Sequence, residues 1–276
     1  MGIFSRKNIL LIGALVVFTV GAFTLVKLYE LGYRFTFSHG VTRPSFIAIS
    51  PFTQGTTFFL DGEPVTDANA VHAVIDGDII TITVPAGLHD VVFARNKYSP
   101  WEKTLDIESG EHITVGPFNI PATTNGVLLK PTDAEYRNAV QLLAAGAKTP
   151  SEQSPVSSRD NTIEAFVRGQ SLIAHVKSGT PPQSFCDTSC ESEKEVVALQ
   201  AEVRGLAFLP GRNDVLLMAV QDGIFAIELD TRGIQNFQVL YRGIRPTFAV
   251  SPEGLIYIKE GDSIFKIFLF PDESQS

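Results

Sequence analysis

The feature that most constrains this chain is an uninterrupted apolar run close to its amino terminus. Residues 9–26 read Ile-Leu-Leu-Ile-Gly-Ala-Leu-Val-Val-Phe-Thr-Val-Gly-Ala-Phe-Thr-Leu-Val, eighteen positions without a charge. Wound as a helix, a run of that length spans about 27 Å, close to the hydrocarbon thickness of a bilayer. A buried helix of a soluble protein ordinarily keeps some polar face, and this run has none. Lys27 can snorkel toward the headgroups, and Tyr29 and Tyr33 can sit at the interface. The sequence therefore predicts a cytoplasmic leader (1–8), a transmembrane helix through the lipid bilayer (9–28) and a juxtamembrane segment (29–42).

Val20-Gly21-Ala22 offers small residues where a signal peptidase could cut after Ala22. The apolar run continues through Phe23, Leu25 and Val26 and exceeds the usual signal core, so a retained anchor is the favoured reading. Arg6 and Lys7 precede the run, while Lys27 and Arg34 follow it with Glu30 between them, so charge alone biases orientation only slightly. A short basic leader before a first helix usually stays inside. With no later span in the sequence, the expectation is a single-pass protein of the cell membrane with its bulk outside the cytoplasm.

The rest of the chain is neither disordered nor built for polyanions. Hydrophobic residues make up 44% and charged residues 19%, which excludes global disorder. A formal net charge of −8 argues against nucleic acid, which needs a clustered basic surface. Twenty Phe, with 22 Gly and 16 Pro, favour strands joined by tight turns. The expected fold class is mainly all-β.

Residues 43–121 alternate short β-rich runs with turn residues. Strands are expected at 45–50, 56–61, 79–84, 89–94, 104–107 and 112–115, with a turn at Asp61-Gly62-Glu63-Pro64. Runs of this length at this spacing predict a small β-sandwich. The pattern Ile49-Ser50-Pro51, Gly55, Phe58-Phe59-Leu60-Asp61-Gly62, Pro85-Ala86-Gly87-Leu88-His89-Asp90-Val91-Val92-Phe93, Tyr98-Ser99-Pro100-Trp101, Leu105-Asp106-Ile107 and Gly110 resembles a PEGA domain. The tetrad that names that family departs here to Pro51-Phe52-Thr53-Gln54-Gly55-Thr56. The resemblance implies a β-sandwich module of an extracytoplasmic bacterial envelope protein.

A second β region is expected over residues 122–271, with an insertion at 132–161 and a short tail at 272–276. Within the insertion, a helix is predicted over 132–145, capped by Thr132 with Glu135 three residues on and stopped by Gly146. The Pro/Ser-rich stretch 149–161 reads as a loop. Three hairpins follow, turning at Gly169-Gln170, Gln221-Asp222-Gly223 and Gly261-Asp262. The last two share an upstream strand and a proline turn, Leu209-Pro210-Gly211 and Ser251-Pro252-Glu253-Gly254. Residues 196–200 and 237–241 would be outer strands, and Val127-Leu128-Leu129 would be the upstream strand of the first hairpin. This period of about 40 residues resembles the blades of WD-repeat-like propellers, without their signature dipeptides. At most three such blades fit in the residues available, so the expectation is a partial, open arc that caps itself with the PEGA-like module or pairs with another chain, such as a second copy. The alternative is a plain antiparallel sandwich.

Candidate chemistry is sparse. Cys186 and Cys190 sit in a loop opened by Pro181-Pro182, and a local disulfide is favoured over free thiols. Zinc would need two more ligands, and redox catalysis a Cys-x-x-Cys at a helix start. The five histidines are scattered, with His89 and His112 expected at exposed strand starts. Asp76-Gly77-Asp78 lacks the oxygen ligands that would complete a calcium loop and reads as a turn. No nucleophile elbow and no phosphate-binding glycine loop is present, and no cofactor or metal is implied. Tyr98 and Trp101 are candidate contacts for a sugar ring, against the plainer reading that both pack in the sandwich. The expectation is a non-catalytic, membrane-anchored binding protein for a cell-wall polysaccharide or an envelope protein. The alternatives are a glycan-directed hydrolase with a site between the two β regions, or an accessory subunit of a membrane assembly.

Overall fold

The computed structural model describes residues 6–30, 33–36, 40–50, 55–65, 73–76, 79–146, 150–186 and 189–269. Helix α1 spans Arg6–Glu30, and its window Ile12–Tyr29 is long and apolar enough to cross a membrane, with none of it buried. Its large side chains are exposed around the whole circumference, among them Leu15, Phe18, Val20, Phe23 and Val26. Thr19 and Thr24 donate their hydroxyls to the carbonyls of Leu15 and Val20, each at 2.8 Å. The two threonine hydroxyls are thus satisfied within the helix itself. The helix begins before residue 9 and ends after residue 28. The strands β1 (Arg34–Thr36) and β2 (Gly40–Thr42) then pair antiparallel, where the sequence predicted only a juxtamembrane segment.

Eight strands follow: β3 (Ser45–Ile49), β4 (Thr56–Leu60), β5 (Glu63–Pro64), β6 (Ala73–Asp76), β7 (Ile79–Val84), β8 (Gly87–Arg95), β9 (Trp101–Ile107) and β10 (His112–Val115). They form two four-stranded sheets, ordered β10-β3-β7-β6 and β5-β4-β8-β9. Period-two alternation explains the layering, since a strand buries every second side chain. Ile80, Ile82 and Val84 of β7 share a core with Val91 and Phe93 of β8 and with Trp101, Leu105 and Ile107 of β9. Phe93 anchors the aromatic centre, 5.0 Å from Phe58 and 5.7 Å from Trp101 between ring centroids. Asp61 and Gly62 both take positive φ (53° and 82°), the conformation of a two-residue primed turn between β4 and β5. The two short strands β5 and β6 were not foreseen. The departed tetrad at 51–54, and Gly77 and Asp78, lie outside the described residues.

The second region contains β11 (Asn125–Leu129), helix α2 (Tyr136–Gly146), β12 (Val156–Ser157), β13 (Ile163–Arg168), β14 (Ser171–Val176), β15 (Glu193–Ala198), β16 (Gly205–Phe208), β17 (Val215–Val220), β18 (Gly223–Glu228), β19 (Phe237–Arg242), β20 (Thr247–Val250), β21 (Ile256–Glu260) and β22 (Ser263–Phe268). They make three four-stranded antiparallel sheets: β12-β13-β14-β15, β16-β17-β18-β19 and β11-β22-β21-β20. The leading strands β12 and β16 touch, as do β16 and β20.

Two expectations need correction here. Val127-Leu128-Leu129 does not precede the first hairpin in its sheet. It belongs to β11, which pairs antiparallel with the last strand β22, Leu129 opposite Ile264. The strand ahead of the first hairpin is instead β12, inside what was read as an insertion, so 132–161 is not one loop-and-helix excursion. Helix α2 also starts at Tyr136 and not at Thr132. The Glu135 carboxylate is engaged by the Tyr257 hydroxyl and by Lys266, so it cannot turn back to cap a backbone N–H. Those contacts dock α2 on β20 and β21 of the third sheet, with Ala139 and Leu143 buried beneath it.

The two β regions share one interior. The core of the first continues into Leu209, Val215, Leu217, Ile224, Ala226 and Leu240 of the second. A second apolar cluster lies between the first and second sheets of the later region, around Leu172, Phe208, Leu216 and Ile227.

Candidate functional site

What joins the regions is polar and buried. Strand β9 is the edge of its sheet, and alternation places Lys103 on its inward face, in register with Trp101, Leu105 and Ile107. Its ammonium donates to Glu228 Oε1 at 2.6 Å and to the carbonyl of Asp230 at 3.0 Å. The side chains of Lys103 and Glu228 are 0% and 3% exposed. Trp101 Nε1–H donates to the other oxygen of the same carboxylate at 3.0 Å, and Asn236 N–H to the first at 2.8 Å. Burial pushes the Glu228 carboxyl up, and the Lys103 charge opposes it. Arg232 forks onto Asp230 (2.9 and 2.7 Å) and reaches the Thr114 carbonyl of β10 at 2.7 Å.

Three side-chain carboxamides complete the joint by imitating a peptide group. Asn236 accepts from Glu102 N–H (3.0 Å) and donates to Glu102 C=O (2.8 Å), closing the free edge of β9. Gln183 treats β10 the same way, accepting from Thr114 N–H and donating to His112 C=O, both at 2.6 Å. Gln238 accepts from Ile120 N–H (2.7 Å) and donates to Pro100 C=O (3.0 Å). Strand edges that would otherwise invite another chain are satisfied from within. Gly233 lies so close that an added Cβ would sit 1.8 Å from the Thr104 carbonyl oxygen.

On this frame the leading strands of the three later sheets converge on a groove of about 650 Å³. Its floor is apolar, with Phe208, Leu209, Val250 and Ile267. Its rim carries Ser157 and Arg159 beside β12 and Glu253 in the second proline turn. The two proline turns touch each other, since a Cβ on Gly254 would meet the Pro210 ring at 3.3 Å. A hydrogen bond from Ser251 holds the Glu253 carboxyl below the usual range, so it is ionised at neutral pH. Arg212, at the same rim, is neutralised by Asp214 at 2.6 Å and tied to the Gly116 and Pro117 carbonyls at 2.6 and 2.7 Å. An apolar floor with a few polar rim groups orients a ligand.

The residues singled out in the sequence fall elsewhere. Trp101 is 0% exposed, with one ring edge on Phe93 and its N–H on Glu228, so it presents no face to a sugar. Tyr98 is also buried, with the Arg95 guanidinium 4.4 Å above its ring. Both candidate ligand contacts are therefore corrected to packing and joint residues. His89 is likewise buried and not a surface residue: its ring lies 2.9 Å from both Asp61 and the Pro85 carbonyl. Cys186 and Cys190 form a disulfide, with Cα atoms 3.9 Å apart. Among the described residues, no three His, Cys, Asp or Glu side chains converge as metal ligands would. Glu228 and Asp230 do converge between the two regions, but on Lys103 and sealed from any groove. No protein-family model matches the chain, and no curated protein matches it.

Proposed function

We propose that the chain is a membrane-tethered, non-catalytic binding protein of the bacterial cell envelope. Its α1 helix spans the bilayer with the amino terminus inside. A PEGA-like sandwich and a three-blade, propeller-like arc are held outside. The observation that carries this reading is the groove at the converging strands, floored by Phe208 and Leu209 and rimmed by Ser157, Arg159 and Glu253. Charges of both signs at the rim of an apolar floor suit the hydroxyl-rich, amphiphilic surface of a wall glycan.

The first β region supports the arc by lending it a core and a sealed edge, so the groove rests on a rigid body. In the arc, β11 supplies the outermost strand of the last blade, fastening the start of the region to its end. Three blades are fewer than the four to eight of a closed propeller. Val127 and Leu128 on that outer strand are half-exposed, which favours a second reading in which the chain is an accessory subunit covered there by a partner.

The test uses the full-length chain solubilised in mild detergent and mixed with insoluble wall glycan. Wild type should co-sediment, and Ser157→Trp, which fills the groove from an exposed position, should stay in the supernatant. Wild type remaining in the supernatant would remove the glycan reading. If it instead crosslinks to a protein in intact cells through residue 127 or 128, the accessory-subunit reading takes its place.

A further inference from the structure

A second concavity, unlike the groove in its chemistry, lies between α2 and the third sheet of the later region. This cleft of about 590 Å³ is lined on one side by Tyr136 and Val140 of α2 and on the other by Arg204, Arg245, Thr247 and Lys259. Three cations in one cleft are unusual in a chain of net charge −8. Several guanidiniums elsewhere are matched with carboxylates: Arg168 with Glu193, Arg212 with Asp214, Arg232 with Asp230, Arg242 with Asp222. Among the described residues, no carboxylate lies within ion-pair distance of Arg204, Arg245 or Lys259. Asp262, at the β21–β22 turn, is the one acid in the lining.

The backbone beneath Arg245 is strained to put it there. Its φ is 51°, a left-handed conformation that a non-glycine residue seldom adopts. It also precedes Pro246, where helical backbone of either hand is disfavoured. Its N–H is held by the Gln221 carbonyl at 2.7 Å. Arg204, half-buried, contacts the same turn through the Pro246 carbonyl at 3.5 Å, which brings the two guanidiniums to one wall of the cleft. Strain of this kind persists where the side chain it presents has a use. Beside Arg245 in sequence, Ile244 is 77% exposed, and Val140 in the cleft lining is a second exposed apolar side chain.

We infer that this cleft binds a phosphate group. Two forked guanidiniums, an ammonium and the Thr247 hydroxyl form a donor set that matches a tetrahedral oxyanion, and the summed positive charge exceeds what a single carboxylate would neutralise. The phosphate can be presented by a lipid headgroup, with Ile244 and Val140 against the acyl boundary, or by a soluble phosphate ester. This site is distinct from the groove, and its test does not depend on the glycan reading.

The full-length chain is titrated with glycerol 3-phosphate in nonionic detergent and followed by calorimetry. In a second arm it is reconstituted in nanodiscs of phosphatidylcholine with or without phosphatidylglycerol, and amide exchange of α2 is measured. Saturable binding of the ester, or slower α2 exchange only in the phosphatidylglycerol discs, is expected, and which arm responds identifies the source. Arg245→Gln and Lys259→Gln, both at exposed positions, should each weaken the response at least tenfold, whereas Arg159→Gln in the other groove should leave it unchanged. Arg245→Gly relieves the backbone, so it should raise Tm while abolishing binding, a combination that a purely structural arginine would not give. No response in either arm, or an Arg245→Gln variant that responds like wild type, would overturn the proposal.

Discussion

Lys103 shows how much one side chain can decide. A lysine in register with Trp101, Leu105 and Ile107 has no route to water, so its charge must be met inside, and Glu228 meets it. Such a pair adds little net stability over apolar residues of the same shape, because desolvation offsets the attraction. Breaking it is different, since the survivor is left charged and buried. Lys103→Met should therefore destabilise the protein by about 3–5 kcal/mol, and Lys103→Met combined with Glu228→Gln should recover most of that loss in denaturant unfolding. The single variant should also be pH-dependent. With Lys103 gone, the upward push of burial on Glu228 is opposed only by the hydrogen bonds the carboxylate accepts, chiefly from Asn236. A raised carboxyl binds its proton more readily folded than unfolded, so stability is present at low pH and lost as pH rises through the folded pKa. Lys103→Met should be closer to wild type at pH 5 than at pH 8. This residue was legible in part, because Trp-Glu-Lys-Thr-Leu-Asp-Ile places a lysine where alternation demands an apolar side chain. Its partner was not, because nothing local to residue 103 points to residue 228. The same blindness made Trp101 a candidate for sugar stacking when its N–H was already committed.

At the scale of elements, hairpins were the legible part and edges were not. Strands β7 and β10 lie where alternation and turn residues predict them, as do β13 and β14, whose hairpin is specified by neighbours in sequence. The pairing of β11 with β22 joins the two ends of a region, and no short-range signal encodes it. The start of α2 was misplaced for a related reason: Glu135, a capping residue by local rules, is drawn off by Tyr257 and Lys266. Tyr257 first, then Lys266, holds the Glu135 carboxyl below its usual range. A depressed carboxyl contributes stability above its unfolded pKa and loses it as pH falls through the folded value. Amide protection across α2 should accordingly fall on acidification below the ordinary carboxylate range, and Glu135→Gln should show reduced protection already at neutral pH. Gly233 offers a steric test of the covered β9 edge. It takes φ 59°, and a methyl group there meets the Thr104 carbonyl oxygen at 1.8 Å. Gly233→Ala should destabilise by at least about 1–3 kcal/mol, the usual range for forcing such a backbone, and should expose β9 to limited proteolysis.

For the whole molecule, the sequence indicated an apolar helix followed by two β regions, and the structure has that mainly β composition. The sequence allowed for the arc being capped by the first region, but could not convey which residues join the two. A shared apolar core, a buried ion pair and three carboxamides make them one body. That unity underlies the proposed function, because a groove built from three separate sheets keeps its shape only if the frame behind it is rigid. The chain carries a built-in reporter of the joint, since Trp101 is its only tryptophan and donates to Glu228 across the interface. The most direct test is denaturant unfolding of the full-length protein in detergent, following Trp101 fluorescence alongside the circular dichroism of the β-sheets. The account predicts one transition, with both signals sharing a midpoint and a slope. A Trp101 signal lost at lower denaturant than the sheet signal would show two independently folded regions in loose contact, and would contradict it.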